Sequence, residues 1–273
     1  MWKRWGFLLG LLLFSVPVYS ATLTLSAPPR ESKQAGEKLY TPLADFLSQF
    51  LGKKVVYQHP GNWLKYQREM RADKYDFVFD GPHFAAWRMA HLGHKVLVKL
   101  PGRLQFHLLT NADNKAINSP MDMVGKNICG ISPPNLSTLS ILEYYSNPVR
   151  QPIIKGVKGG MGKVYAVFKG KKCQALVLRT TFYNKKLKQA DRQSLKIIYS
   201  SEALPNQVIT ASKRISQDER EKIQQALLRT QKGKQALAPI LKRFGGKAKS
   251  FMLAKSQEYE GNNKLLEGVI FGW

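Results

Sequence analysis

Apolar and polar residues alternate from residue 21 to 27 (ATLTLSA), and a period of two predicts a first β-strand. The period then changes. Leu39, Leu43, Phe46, Leu47 and Phe50 recur at helical spacing across 36–50, and Gly52 stands where the helix should end. A strand at 54–58 follows, then a turn at 59–62 whose Asn62 can cap a helix over 63–72. A third strand, 75–80, runs into Gly81-Pro82 and an aromatic-rich helix. Strand–helix–strand–helix–strand is the pattern of a parallel α/β sheet.

Two further strands are expected at 95–100 and 105–110, and after a polar turn at 111–120 the rhythm restarts. Strands are predicted at 126–131, 152–156, 173–178, 195–199 and 207–211, with helices at 139–145, 160–168 and 182–188 between them. Ser216 and Glu219 form a capping-box pair ahead of a helix at 217–230, and another helical stretch covers 232–244. The chain therefore reads as two α/β units, roughly 22–107 and 108–205, followed by a return to strand and helix. Two such lobes leave a crevice at the carboxyl ends of their strands, the usual place for a ligand.

The first twenty residues follow a different logic. Lys3-Arg4, an apolar run over 6–16, Pro17 and then Val18-Tyr19-Ser20 have the order of a secretory leader, with cleavage expected after about Ser20. The apolar run is short for a membrane span, so an uncleaved anchor is the lesser alternative. Export changes the meaning of the two cysteines. Cys129 and Cys173 are expected to pair, closing a loop of about 45 residues worth roughly 4 kcal/mol on a chain-entropy estimate. A catalytic cysteine is the rival, and no activating base is visible beside either.

Charge changes the picture again. The chain carries 43 Lys and Arg against 18 Asp and Glu, a net charge of +25. The basic residues are scattered, which fits a solvated surface or a field that draws anions. Nucleic acid is not expected as the partner of an exported chain. Candidate chemistry sits at the joints. Gly81-Pro82-His83 exposes a helix N-terminus, and Ser137-Thr138 precedes another; each is either an anion site or a plain turn or cap. Arg179-Thr180 ends a strand, with Arg179 either an anion clamp or a member of a surface ion pair. Tyr40, Trp63, Tyr66 and Trp87 read as core ahead of pocket. The pairs His83/His91 and His91/His94 lack an evident third metal ligand on their face, and no G-x-S-x-G, P-loop or H-E-x-x-H motif occurs. No metal, cofactor or catalytic residue is assigned.

Several stretches resemble one family. "YTPLADFLSQFLGKKV" (40–55), "KYDFVFDGPHFAAW" (74–87), "MVGKNICGISPPNLSTLSIL" (123–142), "ALVLRTTFYNKK" (175–186) and "YSSEALPNQVITASKRIS" (199–216) are similar, in this order, to the phosphate/phosphite/phosphonate-binding periplasmic proteins of ABC importers. The resemblance implies an α/β type II fold of two lobes, 21–107 plus 208–273 and 108–207, each a mostly parallel sheet flanked by helices. It implies a hinge near 106–109 and 207–210. It also implies capture of a small anion for an inner-membrane permease by a monomeric, non-enzymatic periplasmic protein. A sensor using the same fold, and a basic protein binding anionic polymers, are the alternatives. On this resemblance Ser137 and Thr138 grip the oxyanion, Gly81, Pro82 and His83 form the cleft wall, and Arg179 with Thr180 adds a second clamp. The family's S-T-S-G is here Ser137-Thr138-Leu139-Ser140, and base stands where an amine-binding site needs acid. The expected ligand therefore lacks an amine and can carry more than one negative charge.

Overall fold

The opening alternation becomes β1 (Leu23–Ser26), an inner strand of a six-stranded sheet, in a computed structural model that describes residues 22–267. The leader and its cleavage point near Ser20 lie outside the described residues. Helix α1 (Lys33–Leu51) starts where Ser32 Oγ accepts from Ala35 N–H at 3.3 Å, and it stops at Gly52, whose φ of 62° suits glycine. It starts three residues earlier than its apolar spacing indicates, because the cap and not the stripe sets the first turn. Then come β2 (Val55–Tyr57) and α2 (Trp63–Arg71), the latter capped by Asn62 Oδ1 accepting from Lys65 N–H at 2.8 Å. β3 (Phe77–Asp80), α3 (Pro82–Leu92) and β4 (Lys95–Lys99) complete the first series.

After a short β5 (Arg103–Leu104) the chain enters a second, five-stranded sheet. Its elements are β6 (Phe106–Asn111), β7 (Asn127–Gly130), α4 (Leu136–Leu142), β8 (Ile153–Gly156), α5 (Met161–Lys169), β9 (Ala175–Arg179), α6 (Thr180–Lys186), α7 (Gln189–Gln193) and β10 (Leu195–Ser200). The chain returns through β11 (Leu204–Pro205) to β12 (Val208–Ala211), α8 (Gln217–Arg229), α9 (Gln231–Phe244) and β13 (Met252–Leu253). The capping box at Ser216 and Glu219 is formed.

Both sheets are mixed. β1 pairs in parallel with β2 and β3, and β7 with β8 and β9. The strands that come across from the other lobe run the opposite way: β12 is antiparallel to β3 and β4, and β6 to β9 and β10. Parallel pairing thus holds within each βαβ series and ends where the chain changes lobe. The crossing segments themselves pair as a two-stranded antiparallel ribbon, Leu204 opposite Leu104 and Pro205 opposite Arg103. Gln105 Nε2 donates to Ser201 O at 3.1 Å and Asn206 Nδ2 to Pro101 O at 2.7 Å, lacing the ribbon further. The narrow neck is therefore a few residues upstream of the expected 106–109 and 207–210, which lie within or beside the lobe sheets.

Strand alternation explains the cores. Phe77 and Phe79 face α1, α8 and α9 with Leu43, Leu47, Ile223 and Leu237, whereas Val78 faces Tyr66, Phe84 and Trp87. In the second lobe Val177 and Leu178 divide between two clusters in the same way. The tail after β13 spans the two lobes. Leu265 packs in a second-lobe cluster, and its neighbour Leu266 packs with Tyr66, Phe84 and Trp87.

Cys129, on β7, and Cys173, two residues ahead of β9, form the expected disulfide, with Cα atoms 5.6 Å apart. β7 and β9 are neighbours, so the bridge ties β7 to the segment that enters β9, which the sheet already brings close. Cys129→Ser/Cys173→Ser is expected to lower unfolding stability by up to about 4 kcal/mol in denaturant titration. A loss below about 1 kcal/mol would show that the bridge leaves the unfolded chain nearly unconstrained.

Candidate functional site

The loops after β1, β3, β7 and β9 converge where the lobes meet, each at a strand's carboxyl end. They enclose a cavity of about 140 Å³.

From the first lobe come Arg30, Trp63, Gly81, His83, Phe84 and Gln207; from the second come Ile131, Pro134, Asn135, Leu136, Met161 and Arg179. Arg30 follows β1. Its Nη1 donates to Gln207 Oε1 at 3.1 Å, and its guanidinium lies 4.9 Å from the Phe244 ring centroid. Its Nε and Nη2 are buried without a hydrogen-bond partner. Arg179 closes β9, half-buried, and its Nε is likewise unpartnered. Burial pulls the Arg179 guanidinium below its ordinary pKa, and no carboxylate among the described residues pairs with it. Two cations at one small cavity, with no acidic residue among those that line it, make a site poised for an anion.

His83 sits at the joint between β3 and α3 and is 3% exposed. Its Nε2 lies 3.1 Å from Pro134 O, a contact between lobes. Burial pulls the imidazole down to about 4, so it is neutral near pH 7. A carbonyl can only accept, so Nε2 carries the hydrogen and Nδ1 holds a lone pair; Nδ1 is buried without a partner. The ring folds back over Gly81, where a Cβ would come within 2.9 Å of Nδ1, so the joint needs glycine. Pro82 fixes the first turn of α3, and no side chain caps that helix end.

Beneath the joint lies an ion pair. Asp80 Oδ2 and Oδ1 accept from Arg88 Nη1 and Nη2 at 2.7 and 2.8 Å, both side chains being essentially inaccessible. Tyr66 donates its hydroxyl to the same carboxylate, and Arg88 Nη2 reaches Thr210 Oγ1 at 3.0 Å. Burial works against the Arg88 charge, but Asp80 beside it holds the guanidinium above its ordinary pKa. Asp80 is therefore consumed and does not face the cavity.

The expected site residues divide. Gly81, His83 and Arg179 border the cavity. Ser137 and Thr138 stand within α4, not ahead of it. Helix α4 begins at Leu136 with Asn135 as its cap, so both hydroxyls are buried and bonded inside the loop. Ser137 Oγ donates to Asn135 Oδ1 at 2.7 Å, and Thr138 Oγ1 donates to Ile131 O. Thr180 Oγ1 donates to Gln105 O at 3.0 Å, fastening α6 to the crossing segment. Of the four aromatics read as core, Tyr40, Tyr66 and Trp87 are buried, whereas Trp63 borders the cavity and stacks on Phe84 with centroids 6.0 Å apart. His94 bonds Thr210 and Asp73, and His91 pairs with Glu267. Arg30, Asn135 and Gln207 were not singled out from the sequence. Arg30 had a signal: it follows β1 as Arg179 ends β9.

Two α/β lobes, a paired two-segment neck and a small cavity between them define a two-lobed substrate-binding protein. The chain belongs to the family described as "ABC transporter, phosphonate, periplasmic substrate-binding protein", whose model matches residues 25–259. It is thus a periplasmic solute-binding protein that serves an ABC permease. No curated protein matches the sequence. Among solved structures, the Xanthomonas citri protein XAC2383 bound to ATP is similar at 14% identity and TM-score 0.69, over 92% of this chain and 100% of that one. PhnD1 from Prochlorococcus marinus in complex with methylphosphonate gives 17% identity and TM-score 0.62, over 89% and 96%. A binding-protein component of an ABC phosphonate transporter from Pseudomonas aeruginosa gives 16% and 0.58, over 88% and 83%. At these identities the likeness concerns the fold.

Breaking the buried pair leaves one charge without its partner. Arg88→Met is expected to destabilise the protein by about 3–5 kcal/mol in urea unfolding. A change within about 1 kcal/mol would mean that the α3 joint does not depend on the pair.

Proposed function

We propose that the protein captures a small tetrahedral oxyanion of the phosphonate or phosphate class that lacks an amine. The observation that carries this reading is the cavity of about 140 Å³ bordered by Arg30 and Arg179, with no carboxylate among its lining residues. An ammonium group needs an acidic partner, and the nearest acid at the joint, Asp80, is already held by Arg88 and Tyr66. A guanidinium meets two oxygens of a phosphonate at once, which favours tetrahedral oxyanions.

Gly81 and His83 act as the first-lobe wall of this site and Arg179 as its second-lobe clamp. Arg30 supplies the opposite clamp, a role read from its two unpartnered donors. Ser137 and Thr138 contribute by shaping the Ile131–Asn135 loop around the ligand, and any direct grip from them would require the loop to rearrange. The protein works as a monomer after removal of its leader near Ser20, without enzymatic activity, and hands its ligand to the permease.

A thermal-shift series with phosphate, phosphite, methylphosphonate, 2-aminoethylphosphonate, sulfate and small carboxylates tests the reading. The expected result is stabilisation by one or more amine-free oxyanions, with Arg30→Met and Arg179→Met each weakening binding at least about tenfold, as for a lost charge-assisted hydrogen bond. Tighter binding of 2-aminoethylphosphonate than of methylphosphonate and phosphate would overturn the amine-free site.

A further inference from the structure

This inference rests on the reading of the cleft as an oxyanion site, and it concerns the proton that the bound ligand carries. The His83 ring is polarised by its surroundings. Nε2 is committed as a donor to Pro134 O across the lobe interface. That leaves Nδ1 as the acceptor, and this atom is buried without a partner, in a residue that lines the cavity. Among the described residues the charged groups facing the ring are Asp80 at the end of β3, Arg88 on α3 and Arg30 in the loop after β1, with Arg179 across the cavity. Arg88 neutralises Asp80. The remaining field is positive, so it draws anions and resists a proton on the unliganded ring.

We propose that His83 is a specificity-determining residue: the closed complex holds one proton between His83 Nδ1 and a ligand oxygen, so the cleft selects oxyanions that can carry a proton near neutral pH. Two descriptions of that proton balance identically. A mono-protonated ligand brings its own O–H to the Nδ1 lone pair, or a dianion arrives and Nδ1 takes one proton from solvent. Phosphate and alkylphosphonates satisfy this readily, because a phosphoryl group has a second pKa near 6–7. Sulfate has no proton at that pH. Its oxygen would meet the Nδ1 lone pair acceptor to acceptor, leaving a buried group unsatisfied. The geometry thus separates two anions of almost the same size and shape.

The variant that tests this is His83→Gln. Its Nε2 can still donate to Pro134 O, while the Nδ1 lone pair is replaced by an amide Oε1 that takes up no proton near neutral pH. Titration calorimetry would use methylphosphonate, inorganic phosphate and sulfate from pH 6 to 9, in two buffers of different ionisation enthalpy. For the wild type, sulfate is expected to bind at least about tenfold more weakly than the better phosphorus ligand at pH 7.5. Above that ligand's second pKa its affinity should fall about tenfold per pH unit, with one proton taken up per ligand bound. In His83→Gln both the sulfate discrimination and the proton uptake should shrink. Equal binding of sulfate and the phosphorus ligands by the wild type, or uptake unchanged in the variant, would overturn the role of His83 and leave the oxyanion site standing. No binding of any of the three would overturn both readings.

Discussion

The cleft rests on the Asp80–Arg88 ion pair. Asp80 ends β3, Arg88 lies two turns into α3, Tyr66 comes from α2 and Thr210 from β12, so one buried cluster fixes four elements at once. Removing two charges from water is expensive, and a buried pair contributes little net stability over a well-packed apolar replacement. Its physical consequence is positional. It sets the start of α3, which is where Gly81 and His83 stand. It also neutralises the one carboxylate at the joint, which would otherwise repel an anion from the cavity above it. Fold geometry and site electrostatics are therefore set by the same contact.

Most of the fold could be read from the sequence because period and caps agree along it. Asn62, Ser216 and Gly52 mark helix ends, and all three do so in the structure. The start of α4 was read less well. Ser137 and Thr138 look like a cap from their residue types, but the preceding Asn135 occupies that position and turns both hydroxyls inward. Asparagine and serine are nearly equal as caps, so residue type could not decide between them. The neck was misplaced for a related reason. The apolar runs at 106–109 and 207–211 mark strands, whereas the ribbon that joins the lobes has only two residues per strand and no period to detect. Arg30 was passed over although it follows β1 as Arg179 ends β9, because no local pattern shows its contact with Gln207, 177 positions away.

The tail adds a constraint that no local pattern announced. Adjacent residues Leu265 and Leu266 are buried in different clusters, Leu265 with second-lobe residues and Leu266 mainly with first-lobe residues, joined there by Leu139 of α4, so the end of the described chain spans the crevice. Tyr259 donates to Asn206 O at 2.8 Å beside the neck, and His91 on α3 pairs with Glu267. A hinge motion about the ribbon must carry this strap with one lobe or slide it over the other.

Charge then gives closure its direction. Arg30 belongs to one lobe and Arg179 to the other, and each keeps a buried donor without a partner when the lobes are together. Closing an empty cleft brings two like charges toward one low-dielectric cavity and strips water from donors that gain nothing in return. On the proposed reading, a small anion would supply both missing partners at the same moment. It can favour the closed state only by the difference between its binding in the closed and open forms, and that difference is largest when both lobes contribute a cation. On that reading the arrangement that selects the ligand's charge would also report occupancy as a change of shape, the property a permease can read.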